Sequence, residues 1–189
     1  MQEEELEEIS KEVKSCKRCT LFKERTNPVF GAGSITSDIM FIGEAPGRNE
    51  DLQGLPFVGA AGKILDELLQ SIDLKRKDVY IANILKCRPP GNRDPKNEEI
   101  KACTLYLDRQ IEIIHPKIIS TLGNFASKYI MESFGITTGS ISKIHGKVFT
   151  VSTLTVQARI VPLYHPAAAV YNPNLKGVLI KDFKVLDEL

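Results

Sequence analysis

The chain has 189 residues, 42% hydrophobic and 26% charged, with a formal net charge of +1. That length and balance describe a single soluble, globular domain, residues 1–189, and the chain carries no repeats or low-complexity tracts. No run of about 18 apolar residues could cross a bilayer, and the acidic start MQEEELEEIS is unlike a signal peptide, so no membrane role and a cytoplasmic setting are expected.

Residues 2–14 carry a helical pattern that ends at the knuckle SCKRCT, and a loop with Pro28, Gly31 and Gly33 follows. Residues 38–43 are a short apolar run bounded by turn signals, which predicts a buried strand. A glycine-rich loop leads to a helix over 61–73, with Ile64, Leu65, Leu68, Leu69 and Ile72 on one face. A second strand is predicted over 79–83, and the loop CRPPGNRDP leaves it. A long helix over 97–114 follows, with Asn97 as its N-cap candidate. A third strand covers 117–122 and a helix 124–134. Residues 146–163 alternate like a hairpin or strand pair, and 174–189 close the chain as a helix. Strands alternating with helices predict a three-layer α/β/α sandwich around a mostly parallel, four-stranded sheet. In such folds functional loops gather beyond the carboxyl ends of the strands, so the loops after Gly43, Asn83 and Leu163 should share one rim.

Four cysteines stand out. Cys16 and Cys19 form a C-x2-C pair; Cys87 follows after 67 intervening residues and Cys103 after 15 more. Four thiolates suit a tetrahedral metal ion or a [4Fe–4S] cluster. The 15-residue gap across a helix and the lack of a second C-x2-C disfavour a zinc ribbon, which favours the cluster.

The rim loops carry the polar chemistry. Gly43-Glu44-Ala45-Pro46-Gly47 sits at a strand end, where a tight turn would bring backbone N–H groups and Glu44 to a ligand; no helix is expected to begin immediately after it. It lacks the glycine spacing of a dinucleotide fingerprint. Phe57, between Pro56 and a glycine-rich stretch, either stacks on a planar ligand or plugs the core. Asn83 offers a donor and an acceptor at its strand end, enough to read an imide N–H beside a carbonyl, although a turn role is the commoner use of such a residue. His165 precedes a proline, which restricts its backbone to extended geometry and aims its ring. His115 reads as a connection, and His145 lies in a loop where contact with DNA stays open.

In their order along the chain, the cysteine spacing, GEAPG, LPFVGAAG, Asn83 with KCRPPGNRDP, and HPAAAVYNP resemble the family 4 uracil-DNA glycosylases, the iron–sulfur members of that superfamily. The resemblance runs from Cys16 to the closing helix. It implies a monofunctional hydrolase of base excision repair that flips deoxyuridine out of single- or double-stranded DNA and releases uracil. Cys16, Cys19, Cys87 and Cys103 would bind a structural [4Fe–4S] cluster. Phe57 would stack on uracil, Asn83 would pair with N3–H and O4, and His165 would hydrogen-bond O2. Gly43, Ala45 and Gly47 would line the base pocket, with the residues from Gly47 to Glu50 excluding a C5 methyl. Other superfamily members carry an aspartate where this chain has Ala45, so Glu44, with Glu50 and Asn92, is expected to position water or steady the sugar cation. Arg88 and Arg93 would contact DNA, and Ala169, Val170, Tyr171 and Asn172 would contain the wedge. A monomer is expected, and a sliding-clamp partner is left open. The rival reading is a metal-stabilised, non-catalytic nucleic-acid-binding protein.

Overall fold

The computed structural model describes residues 1–153 and 155–189. Its strands are β1 (Ala32–Gly33), β2 (Ile39–Gly43), β3 (Tyr80–Asn83), β4 (Ile118–Leu122), β5 (Phe149–Ser152) and β6 (Gln157–Leu163). Its helices are α1 (Gln2–Ser15), α2 (Arg48–Gln53), α3 (Ala60–Gln70), α4 (Asn97–Ile114), α5 (Asn124–Ser133), α6 (Ile141–Ile144), α7 (Ala167–Tyr171) and α8 (Leu175–Asp187). The sheet order is β1-β3-β2-β4-β6-β5. The four central strands are parallel, as expected, and β1 and β5 extend them antiparallel at the two edges. The two-residue β1 is too short to leave an alternating pattern in the sequence.

Alternation along β2 sorts the core into two layers. Met40 and Ile42 face a cluster built with Leu6, Ile9 and Val13 of α1, Leu107 and Ile111 of α4, and Ile130 of α5. Phe41 faces the opposite layer, where Leu65, Leu68 and Leu69 of α3 meet Leu179 and Phe183 of α8. The Phe41 and Phe183 rings stack at 5.6 Å between centroids. Removing such apolar surface from water is the main force that closes a three-layer sandwich.

Several boundaries differ from expectation. The segment after Gly47 is not a plain loop: α2 begins at Arg48 and stops at Gly54, whose φ of 71° is left-handed. The N-cap of α4 is Lys96 rather than Asn97, because its N–H donates to the Glu99 carboxylate at 2.9 Å. The HPAAAVYNP segment contains a short helix, α7, where a loop was expected.

The parallel register sets the rim. Gly43 lies opposite Asn83, Ile42 opposite Thr121, and Leu122 opposite Leu163. Because these strands end at one edge, the segments beginning at Glu44, Ile84 and Tyr164 emerge side by side.

Candidate active site

The rim encloses a cleft of about 590 Å³ lined by, among others, Glu44, Phe57, Asn83 and His165. A volume of that order suits a nucleoside-sized ligand. The residues singled out from four separate stretches of sequence are therefore neighbours in space.

Gly43 is the floor. A Cβ there would lie 2.4 Å from Asn83 Oδ1 and 2.8 Å from the Phe57 ring, so any side chain at this position would displace both. Asn83 is 2% exposed, and its Oδ1 is buried without a hydrogen-bond partner. A buried amide oxygen left unpaired costs about 1–3 kcal/mol, so the site is destabilised until a donor arrives. The turn reading of Asn83 does not fit, because a turn would have used that oxygen.

Phe57 is buried with a φ of 53°. A left-handed backbone costs a non-glycine residue about 1–2 kcal/mol, so its surroundings must impose it. The ring lies 5.6 Å from the His165 ring at an interplanar angle of 27°. It borders the cleft and also packs into the core layer of Phe41, Leu65 and Leu68, so both uses expected of the ring meet at this position.

His165 follows β6. Its Nδ1 accepts the backbone N–H of Ala167 at 3.1 Å, so a neutral ring carries its proton on Nε2 as a donor. Burial lowers its pKa to about 4, against the opposing pull of the Glu50 charge, and the ring is neutral at physiological pH. Glu44 is half-buried, and desolvation, with the Asp94 charge adding to it, raises its pKa to about 7. Ala45 and Gly47 also line the cleft.

Glu50 lines the cleft with its carboxylate bound to backbone. One carboxylate oxygen accepts the N–H groups of Val58 and Gly59 at 2.8 and 2.9 Å, and the other accepts that of Gly47 at 3.1 Å. Both oxygens thus tie the two glycine-rich loops together at the wall of the cleft. Asn92 lies exposed at the mouth of the cleft, with its Oδ1 accepting from Arg88 Nε at 2.7 Å. Arg93 reaches the rim, but both terminal nitrogens pair with buried Glu99, at 2.9 and 2.6 Å, so it holds its loop rather than standing free for DNA. On α7, Ala169 is buried, Val170 is 42% exposed and Tyr171 is 88% exposed, while Asn172 caps the helix. Of the two exposed apolar side chains among the four wedge candidates, Tyr171 is the more exposed.

The four cysteines line one apolar hollow with Val13, Phe22 and Tyr106. Arg25 Nη1 donates to Cys87 Sγ at 3.1 Å, and the Lys86 N–H donates to Cys103 Sγ at 3.2 Å. Burial pushes the Cys103 thiol up to about 12 and also raises Cys19 and Cys87. Among the described residues, no three His, Cys, Asp or Glu side chains close on one point as ligands of a single ion would. An all-thiol donor set around a shared hollow, with N–H groups aimed at two sulfurs, has the chemistry that an iron–sulfur cluster requires. Lys86, fully buried beside it, donates from Nζ to the carbonyl of Asn83 at 3.0 Å and to Gln110 at 2.6 Å. The residue went unremarked in the sequence because nothing in KCRPP marks a lysine as internal.

The Uracil DNA glycosylase superfamily model matches residues 30–185. The chain is 53% identical over 185 residues to a Type-4 uracil-DNA glycosylase of Sulfurisphaera tokodaii, covering 97% of this chain and 84% of that one. It is 50% identical over 186 residues to a Type-4 uracil-DNA glycosylase of Archaeoglobus fulgidus, covering 98% and 94%. A Type-4 uracil-DNA glycosylase of Saccharolobus solfataricus is 49% identical over 184 residues, covering 97% and 85%.

Proposed function

This chain belongs to the uracil-DNA glycosylase superfamily, and we propose from that membership and from its cleft that it hydrolyses the N-glycosidic bond of deoxyuridine in DNA. Uracil is released and an abasic site remains for base excision repair. The observation that carries the reading is the unpartnered, buried Oδ1 of Asn83 beside the Phe57 ring. A flipped uracil supplies what that oxygen lacks: its N3–H donates to Oδ1 while its O4 accepts from Nδ2. With Oδ1 facing N3 and Nδ2 facing position 4, cytosine sets an acceptor against the oxygen and its N4 amino group against the Nδ2 donor, so both pairings are lost, and discrimination of that kind is far larger than a methyl contact provides.

Phe57 stacks on the extruded ring. Cleavage leaves a uracil anion and an oxocarbenium-like sugar, and His165, neutral with its proton on Nε2, donates to O2 as charge gathers there. Glu44 in its ionised form orients the attacking water or steadies the cation; Ala45 has no polar group to do so. Glu50, locked by three backbone donors beside Gly47 and Gly59, is the rigid wall that meets a C5 methyl and so disfavours thymine. Tyr171 fills the gap in the stack left by the flipped nucleotide, and Arg88 contacts the backbone.

Cys16, Cys19, Cys87 and Cys103 hold a [4Fe–4S] cluster in this reading, which supplies cross-linking of the N-terminal segment to the loop leaving β3. A mere grip on nucleic-acid backbone, the rival reading, gives no use to a buried amide at the bottom of a cleft. Incubation with a uracil-containing oligonucleotide followed by alkali should break the strand at uracil, because abasic sites are alkali-labile. Intact strands after alkali, with the protein bound to them, would support the rival.

A further inference from the structure

The left-handed backbone of Phe57 is gripped from two sides by side chains of opposite charge. On the N–H side, the Glu50 carboxylate takes the donors of the next two residues, Val58 and Gly59. On the carbonyl side stands Arg76, on the turn Arg76–Asp78 that leads into β3. Its Nη1 donates to the Pro56 carbonyl at 3.0 Å, and its Nη2 donates to the carbonyls of Phe57 and, at 3.2 Å, Gly62. Its Nε donates to Asp66 on α3 at 2.5 Å, which fixes the plane of the fork. Gly62 completes the clamp: a Cβ there would lie 1.8 Å from the Phe57 carbonyl oxygen, so only a glycine lets α3 seat against it. Arg76 does not line the base cleft.

We propose that Arg76 is a positioning residue for base recognition: its guanidinium holds Phe57 in the left-handed conformation that presents the ring to an extruded base. The inference rests on the stacking role proposed for Phe57. It deepens that reading by placing the control of the ring outside the cleft, in a planar fork that spans three carbonyls. A lysine ammonium has no such fork and could not reproduce the span. Because the same turn feeds β3, Arg76 also couples the stacking loop to the strand that ends in Asn83.

The test is a double-mutant cycle on a single-stranded uracil oligonucleotide, using Arg76→Gln, Phe57→Ala and both together. Arg76→Gln alone should lower kcat/KM about tenfold, mainly through KM, because the stacking contact it positions is made in the bound ground state as well as in the transition state. In the Phe57→Ala background the same change should cost less than about twofold, since there is no ring left to position. An equal loss in both backgrounds would overturn the proposal by making Arg76 a general structural residue. So would full activity of Arg76→Gln while Phe57→Ala is impaired. Full activity of Phe57→Ala would instead overturn the stacking role itself. Should Arg76→Gln fail to fold, Asp66→Asn, which frees the guanidinium from outside the cleft, goes through the same cycle. The same non-additivity is expected, and an additive result would overturn the proposal.

Discussion

Replacing Glu44 by glutamine should stabilise the protein at alkaline pH while it slows catalysis, and the two effects should follow the same titration. The folded carboxyl keeps its proton to about pH 7, whereas an ordinary glutamate releases it near 4.5. Between those values the folded state binds a proton that the unfolded chain has given up, so stability falls as pH rises through this window. Each pH unit of that window corresponds to about 1.4 kcal/mol, so a fully desolvated carboxylate would cost about 3 kcal/mol above pH 7. Glu44 is only half-buried, and the water that reaches it screens part of its charge, which brings the penalty to about 2 kcal/mol. Glutamine resembles the neutral acid and escapes it. For a domain of this size the melting temperature of Glu44→Gln should exceed wild type by roughly 4–8 °C at pH 8, and the gap should close by pH 4.5. Thermal melts across pH, paired with single-turnover excision rates, provide the assay. The wild-type rate should rise along a limb centred near pH 7, and the variant should lose that limb and about a hundredfold in rate. A melting difference that is the same at pH 4.5 and pH 8 would refute the account of a desolvated carboxylate. An unchanged rate limb would remove Glu44 from the chemistry.

Asp94→Asn should move that limb to lower pH, since the Asp94 charge is the second cause of the raised Glu44 value; a pH–rate profile checks it. His165→Ala should cost about 100- to 1000-fold in rate at saturating enzyme, and the wild-type profile should show no further limb from this ring above about pH 5. Tyr171→Ala should impair excision from duplex more than from single strands, because only a duplex stack must be held open; equal losses on both substrates would exclude the wedge role. Cys87→Ser or Cys103→Ser should bleach the broad visible absorption expected of the purified protein, with iron content falling in step.

How much of this was legible beforehand depended on what each residue had to contact. The strands ending at Gly43 and Asn83 and the helix 97–114 carry their own apolar periodicity, so their positions were readable from the sequence, as was the convergence of loops at the strand ends. Glu44, Asn83 and His165 share one cleft because parallel register aligns those ends, and Phe57 joins them from the loop between α2 and α3. The contacts the sequence did not show were those whose partners lie far off in sequence or are backbone atoms. Glu50 looks like a free acid in GRNED until Val58 and Gly59 fold back onto it. Arg93 looks like a DNA contact until α4 brings Glu99 against it. Helix α2 was hidden because six residues are too few to show a face, and α7 because a run of alanines between prolines has no apolar–polar alternation. Arg76 and Lys86 left no signal: one grips three carbonyls, the other is a lysine in the interior.

The central claim is that Asn83 reads the base through its unpaired oxygen, and Asn83→Asp tests it most directly. Excision rates should be measured on matched oligonucleotides containing uracil or cytosine, for wild type and variant side by side. A protonated or water-bridged carboxyl can accept the N4 amino group and meet N3 of cytosine, so the account predicts weaker uracil excision and a lower uracil-to-cytosine ratio. An unchanged ratio would contradict it, and the reading of the base would have to be assigned elsewhere in the cleft.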